Sequence, residues 1–264
     1  MANSTRKRAQ LQAERLAAAK KARRRRLWTA IFCVAVVVAA VVFIVWWLNR
    51  PDNKPSPGPT AANPATVTVT PPNASADGKG ILANPTATAP AHTLVVFSDY
   101  QCSACMTVET LLAPVFQAVP GSTTTQLQFR NRDFLDEDPN HGNWSRPASI
   151  ASACADTVGT FLPFHMAIYQ HYGGLSDAVL RETIPQEIGL TGATLSQFQQ
   201  CYDTQATAGF VDAMEQAAAA DMYNAGFTGT PTLVLDGAKL DVSTWAAADG
   251  SVDLAKAKAA LGLA

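Results

Sequence analysis

Phe97-Ser98-Asp99-Tyr100-Gln101-Cys102-Ser103-Ala104-Cys105 is the stretch on which the fold turns. It joins two patterns of different period. Ahead of it, Thr93–Phe97 (Thr-Leu-Val-Val-Phe) is a short continuous apolar run, as expected of a strand buried on both faces. Behind it, Val108, Leu111, Val115 and Val119 recur at helical spacing, with Pro114 an expected kink inside the pattern. Gln126–Arg130 then alternates like a second strand. The two cysteines therefore stand at the start of the helix in a strand–helix–strand unit.

That position has a chemical meaning. A thiol at a helix N-terminus faces free backbone N–H groups and the positive end of the helix dipole, both of which favour the thiolate. Cys102 is so placed, and Cys105, one turn on, can resolve a mixed disulfide formed at Cys102. A bare Cys-x-x-Cys also suits half a zinc site or an inert bridge. Zinc asks for two further ligands at suitable spacing, and His92, His141, His165 and His171 form no such pair. Late in the chain, Gly229-Thr230-Pro231-Thr232 precedes another apolar run. A proline entering a central strand forfeits a ladder hydrogen bond and is tolerated only at the strand's start or in a special turn. Residues alone leave cis and trans open there.

Between these motifs the period is helical. Phe161, Phe164, Ile168 and Tyr172 share one face, as do Leu180, Ile184 and Ile188, with Gly189 as a stop and Pro185 against the second assignment. Thr194 and Gln197 match a capping box ahead of Phe198 and Cys201. Val211, Met214, Ala218, Met222 and Ala225 make the longest stripe, ended by Gly226. Thr232–Leu235 reads as a strand, Asp236–Gly237 as a turn, Lys239–Val242 as a partner strand and Asp253–Leu261 as a closing helix. The order is βαβ, a helical block, then αββα: an α/β fold.

The rest of the chain points to a location. Ten Lys and Arg precede Leu27 against one acid, Glu14, whereas nine basic and twenty acidic side chains follow Arg50. Trp28–Leu48 carries no charge and, as a helix, would cross roughly 30 Å of bilayer core. Trp28 and Trp46–Trp47 sit at its edges, and Arg23–Arg26 keeps the N-terminus cytoplasmic. The span is too long for a signal peptide and lacks a small-residue cleavage site just beyond it, so a retained anchor is expected. The span also argues against a nucleic-acid role for the basic head. The expected divisions are a cytoplasmic tail (1–26), a transmembrane helix (27–48), a Pro-rich tether (49–91) and a folded domain (80–264). Thr66–Thr70 is assigned to the tether, and the Asn73 and Asn143 sequons to chance. Cys33 falls in the span, while four cysteines lie outside, where disulfides are permitted. Cys154 and Cys201 sit in predicted helices. Buried free thiols are possible there, an even count favours a bridge, and four cysteines allow three connectivities.

Asn84-Pro85-Thr86-Ala87, Phe97 through Cys105, and Gly226-Phe227-Thr228-Gly229-Thr230-Pro231-Thr232, in that order, resemble the DsbA-like branch of the thioredoxin superfamily. The membrane-tethered forms of Gram-positive bacteria are especially similar. The resemblance covers roughly residues 80–262, with a helical insertion at about 145–204. It implies that Cys102 is the exposed nucleophile, Cys105 the resolving thiol and Pro231 a cis-proline. It also implies that the Thr230 backbone pairs with an extended substrate and that Cys154 and Cys201 form a structural disulfide. The activity implied is cofactor-free introduction of disulfides into secreted or envelope proteins, with reoxidation by a quinone-linked membrane partner of the DsbB or VKOR type. Two departures stand out. Val96 occupies the place, six residues before the first cysteine, where many relatives keep a buried acid, leaving Asp99 or Glu109 as substitutes for deprotonating Cys105. No histidine lies between the cysteines, so a less oxidising enzyme is expected. A reductase or isomerase of the same fold, or a copper-binding module, are the rival readings.

Overall fold

The computed structural model describes residues 68–85, 87, 89–132, 136, 142–247 and 251–263. The expected tail, the expected span with Cys33, His141 and most of the tether lie outside the described residues. None of the described helices is long and apolar enough to cross a membrane.

Among the described residues, β1 (Ile81–Leu82), β2 (His92–Ser98), β3 (Thr125–Asn131), β4 (Thr232–Leu235) and β5 (Ala238–Lys239) form one sheet in the order β1-β3-β2-β4-β5. The central pair β2–β3 is parallel, and every other pairing is antiparallel. The helices are α1 (Ser103–Phe116), α2 (Ser145–Thr157), α3 (Phe161–Gln170), α4 (Ile184–Glu187), α5 (Gly192–Asp203), α6 (Ala208–Asn224) and α7 (Leu254–Ala260). A parallel pair needs a crossover, and α1 supplies it between β2 and β3.

Strand periodicity divides the core. Leu94 and Val96 of β2 point into the main cluster, while Val95 and Phe97 meet Ala218 and Met222 of α6 on the other side. The sheet is thus covered on both faces, which is why β2 reads as a continuous apolar run. Phe116 of α1 meets Phe129 of β3 edge to face at 5.5 Å between centroids, both rings buried.

Several expectations change on contact with the structure. The buried side of α1 is Cys105, Glu109, Leu112, Val115 and Phe116, whereas Leu111 is 42% exposed. The apolar stripe misreads the face because a buried glutamate interrupts the true one. Helix α5 begins at Gly192 after Thr191, and Thr194 lies inside it with its hydroxyl donating to the Thr191 carbonyl at 2.8 Å. There is no capping box. Tyr172 lies past the end of α3 and is 38% exposed. Asp236 and Gly237 form the expected turn, both at positive φ, the combination a two-residue hairpin favours. Its second strand is only Ala238–Lys239, because Asp241 turns the chain into a short helical turn over Val242–Trp245. A wider helical turn over Val179–Thr183 runs into α4 at Pro185. Proline has no N–H for the Arg181 carbonyl, which instead accepts from the Gln199 amide at 3.4 Å.

The end of the expected tether, where described, is bound to the domain. Val69 N–H donates to the Ala206 carbonyl at 2.7 Å, and Asn73 makes two 2.8 Å bonds to Asp156 of α2. Lys79 and Arg130 both reach Asp221 of α6, at 2.9 and 2.6 Å. At Gly80 a Cβ would come within 2.7 Å of Gln128 and of the Phe129 carbonyl, so only glycine admits this approach to β3.

Candidate active site

β2 ends at Ser98 and the chain turns through Asp99–Gln101 into α1, so the strand fixes where the helix starts. Cys102 is the N-cap of α1, in extended conformation, and its Sγ accepts from the Cys105 N–H at 3.3 Å. The same sulfur lies 3.4 Å from the Thr230 carbonyl, to which its S–H donates when protonated. The Cys105 thiol and the backbone N–H groups of Cys105 and Ala104 hold Cys102 far below its ordinary range, at about 6, against partial burial, which acts the other way. Cys105 is the opposite case. Its sulfur is fully buried, receives the Asp99 N–H at 3.4 Å, and is pushed far up, chiefly by burial. Two thiols one turn apart are thus split into an accessible thiolate and a buried protonated thiol. Each is free in this structure.

The loop before them is held from the helical block. Asp99, fully buried, accepts from the Gln101 N–H and from the Ser145 hydroxyl, both at 2.7 Å. Asp136 accepts from the Ser145 and Arg146 N–H groups at the start of α2 and from the Gln101 amide at 2.9 Å. Burial raises the Asp136 pKa, and the Asp99 charge adds to the shift.

Behind the cysteines, Val96 is wholly buried in apolar surroundings. Glu109, on the inner side of α1, is 5% exposed and lies 3.3 Å from His165 Nε2 of α3. The other ring nitrogen of His165 is 2.8 Å from the Tyr100 hydroxyl. The sequence marks Glu109 as a candidate acid, but it brings up His165 only to set it aside as a zinc ligand. The signal for burial was present, since position 165 falls on the same helical face as Phe161 and Ile168. Among the described residues no group of three or more His, Cys, Asp and Glu side chains is arranged to hold a metal.

The peptide between Thr230 and Pro231 is cis. It sets the Thr230 carbonyl against Cys102, joining the two motifs that stand 128 residues apart. A family model described as Thioredoxin matches residues 86–253, which include both motifs. The chain belongs to the thioredoxin family. Among solved structures, the chain is similar to the MdbA thiol-disulfide oxidoreductase of Corynebacterium diphtheriae, at 18% identity and a TM-score of 0.51, over 69% of this chain and 91% of that one. MdbA of Actinomyces oris, also described as a thiol-disulfide oxidoreductase, is similar at 15% identity and a TM-score of 0.54, over 70% and 86%. No match is found among curated proteins.

Two further features bear on the function. Cys154 of α2 and Cys201 of α5 are joined as a disulfide, with 5.7 Å between their Cα atoms. A groove of about 330 Å³ opens beside the cis peptide, with Met222, Tyr223, Phe227 and Thr230 along it and Arg132 at its edge. Tyr223 is 84% exposed there.

Proposed function

We propose that the chain is an extracytoplasmic thiol–disulfide oxidoreductase that passes a Cys102–Cys105 disulfide to secreted or envelope polypeptides. The observation that carries this is the opposite treatment of two neighbouring thiols, one held as a thiolate at a helix end and one buried and protonated. Stabilising the Cys102 thiolate stabilises the reduced protein, which makes the disulfide the stronger electron acceptor. A substrate thiolate attacks Cys102, and Cys105 leaves. The groove beside Thr230 accepts an extended chain with apolar side chains, and the Thr230 backbone pairs with it. Reoxidation falls to a quinone-linked membrane partner of the DsbB or VKOR type, within reach because Trp28–Leu48 tethers the domain.

The direction of exchange is tested by the reduction potential of the Cys102–Cys105 pair. The expected value lies towards the DsbA class, near −120 mV, moderated by the absence of a cation between the cysteines; a value near about −270 mV means a reductase. Topology is tested on intact protoplasts. External protease should remove the folded domain and leave a small anchored fragment, and full protection of that domain contradicts the location.

A further inference from the structure

Asp136 takes no part in the exchange of disulfides, yet both of its carboxylate oxygens are engaged beside the cysteine loop. One accepts from the Gln101 side-chain amide at 2.9 Å and from the Ser145 N–H at 3.0 Å, and the other accepts from the Arg146 N–H at 2.7 Å. Part of this is ordinary. Helix α2 has Trp144 at its N-cap, with no side-chain bond to the first turn. The first N–H groups of a helix need acceptors, and its positive dipole end favours an anion. Asp136, which follows β3 in the chain, meets both needs. The bond to Gln101 is another matter, since the cap is complete without it. Burial and the Asp99 charge both work against the Asp136 carboxylate, so its place here costs the fold something.

Gln101 is held at both its main chain and its side chain. Its amide nitrogen also donates to the Ser145 hydroxyl at 2.9 Å, and that hydroxyl donates to Asp99 Oδ1 at 2.7 Å. The same Asp99 oxygen accepts the Gln101 N–H at 2.7 Å, so the bonds close into a ring. The residue that follows is Cys102. As the N-cap of α1 it has extended φ and ψ, which the helix ladder does not fix. Its sulfur must nevertheless meet the Cys105 N–H at 3.3 Å and stand 3.4 Å from the Thr230 carbonyl. The aim of Cys102 therefore depends on the residue that leads into it.

We infer that Asp136 is a positioning residue for the nucleophile: through Gln101 it fixes Cys102 where the N–H groups at the start of α1 meet the sulfur. The inference rests on the exchange reading above, in which Cys102 reacts as a thiolate. The charged groups around the ring are Asp99 in the loop and Arg146 of α2, whose guanidinium is held by Asp212 of α6 at 2.7 Å. The titratable neighbour of Cys102 is Cys105. Position and charge act with opposite sign here. If the grip on Gln101 is lost, the sulfur leaves its donors and the thiolate forms less readily. If Asp136 acted only as a nearby negative charge, removing it would make the thiolate form more readily.

The test follows alkylation by iodoacetamide across a pH series, on the full chain in detergent, carrying Cys33→Ser, after mild reduction of Cys102–Cys105. The native rate should reach half its plateau at about 6. Gln101→Ala leaves the cap of α2 in place and should raise that midpoint by about one pH unit. That is a roughly tenfold loss of thiolate in acid, the scale of one hydrogen bond to a charged group. Asp136→Ala should raise the midpoint as much and also lower Tm, because the cap of α2 goes with it. Asp136→Asn keeps one carbonyl oxygen for the Gln101 amide and should stay near the native midpoint. An unchanged midpoint in Gln101→Ala reduces Asp136 to a helix cap, and a lower midpoint in Asp136→Asn shows that it acts by charge. Either result overturns the inference. If Asp136→Ala does not fold, Gln101→Ala decides alone. A native midpoint at about 8.5, ordinary for a thiol, removes the thiolate on which the exchange reading rests, and the inference with it.

Discussion

Replacing Cys105 with Ser should turn the protein into a trap: turnover falls to background while secreted proteins accumulate as disulfides to Cys102. In this variant the Cys102 thiolate attacks a disulfide of an oxidised substrate and breaks it, leaving one substrate sulfur bound and the other as a thiolate. Release needs the buried second thiol, and Ser cannot supply a sulfur. Cys102→Ser should capture nothing. Capture should also follow pH with a defined sign. Only the thiolate attacks, so the rate should rise to a plateau with a midpoint at about 6 and fall away in acid. The same depression acts on stability. Folding of the reduced protein gains as pH climbs from about 6 towards the ordinary thiol range, and loses that gain as pH falls back. Above about 8.5 the unfolded chain ionises both thiols, so the Cys102 gain is complete and stability declines with further rise in pH, because Cys105 keeps its proton in the fold. The measurement is electrophoresis of alkylated extracts without reductant across a pH series. Equal capture through another cysteine, or none in Cys105→Ser, would show that Cys102 is not the nucleophile.

The second large effect is expected at Cys154 and Cys201. Their bridge closes a loop of 47 residues, which on the chain-entropy account stabilises the fold by about 4 kcal/mol. For a domain of this size, removing it through Cys154→Ala with Cys201→Ala should lower Tm by about 8–16 °C. Thermal melting followed by circular dichroism reads the change directly. A drop under about 2 °C would mean that the helices hold this geometry without the bond.

What the sequence discloses depends on whether a signal is local. The helix-start cysteines, the apolar strands Thr93–Phe97 and Thr232–Leu235 and the turn at Asp236–Gly237 are all written in neighbouring residues, and each is found where expected. The face of α1 is not written that way. Periodicity follows apolar side chains, and the buried stripe contains Glu109, so the reading settles on Leu111 instead. Residues 68–85 escape for another reason. Small and polar residues with a Pro71–Pro72 pair give them the look of a tether, while their attachments run to Asp156 and Ala206, contacts that no window along the chain can contain. His165 lies between these cases. Its helical position announces burial, but only the folded chain brings Glu109 and Tyr100 to its two nitrogens.

The hydrogen bond from Ser145 to Asp99 spans 46 residues and ties the helical insertion to the loop that aims Cys102. The insertion is therefore not a detachable module. A shortened protein that keeps the sheet, α1 and the cis peptide but omits residues 145–204 would strip Asp99 of this donor and Glu109 of His165. Its cysteines would remain adjacent in sequence, yet their loop would lose its rear support. Engineering a minimal catalyst from this scaffold should thus begin by rebuilding the contacts beneath Asp99, and swaps of the helical block between relatives should be made together with the loop it braces.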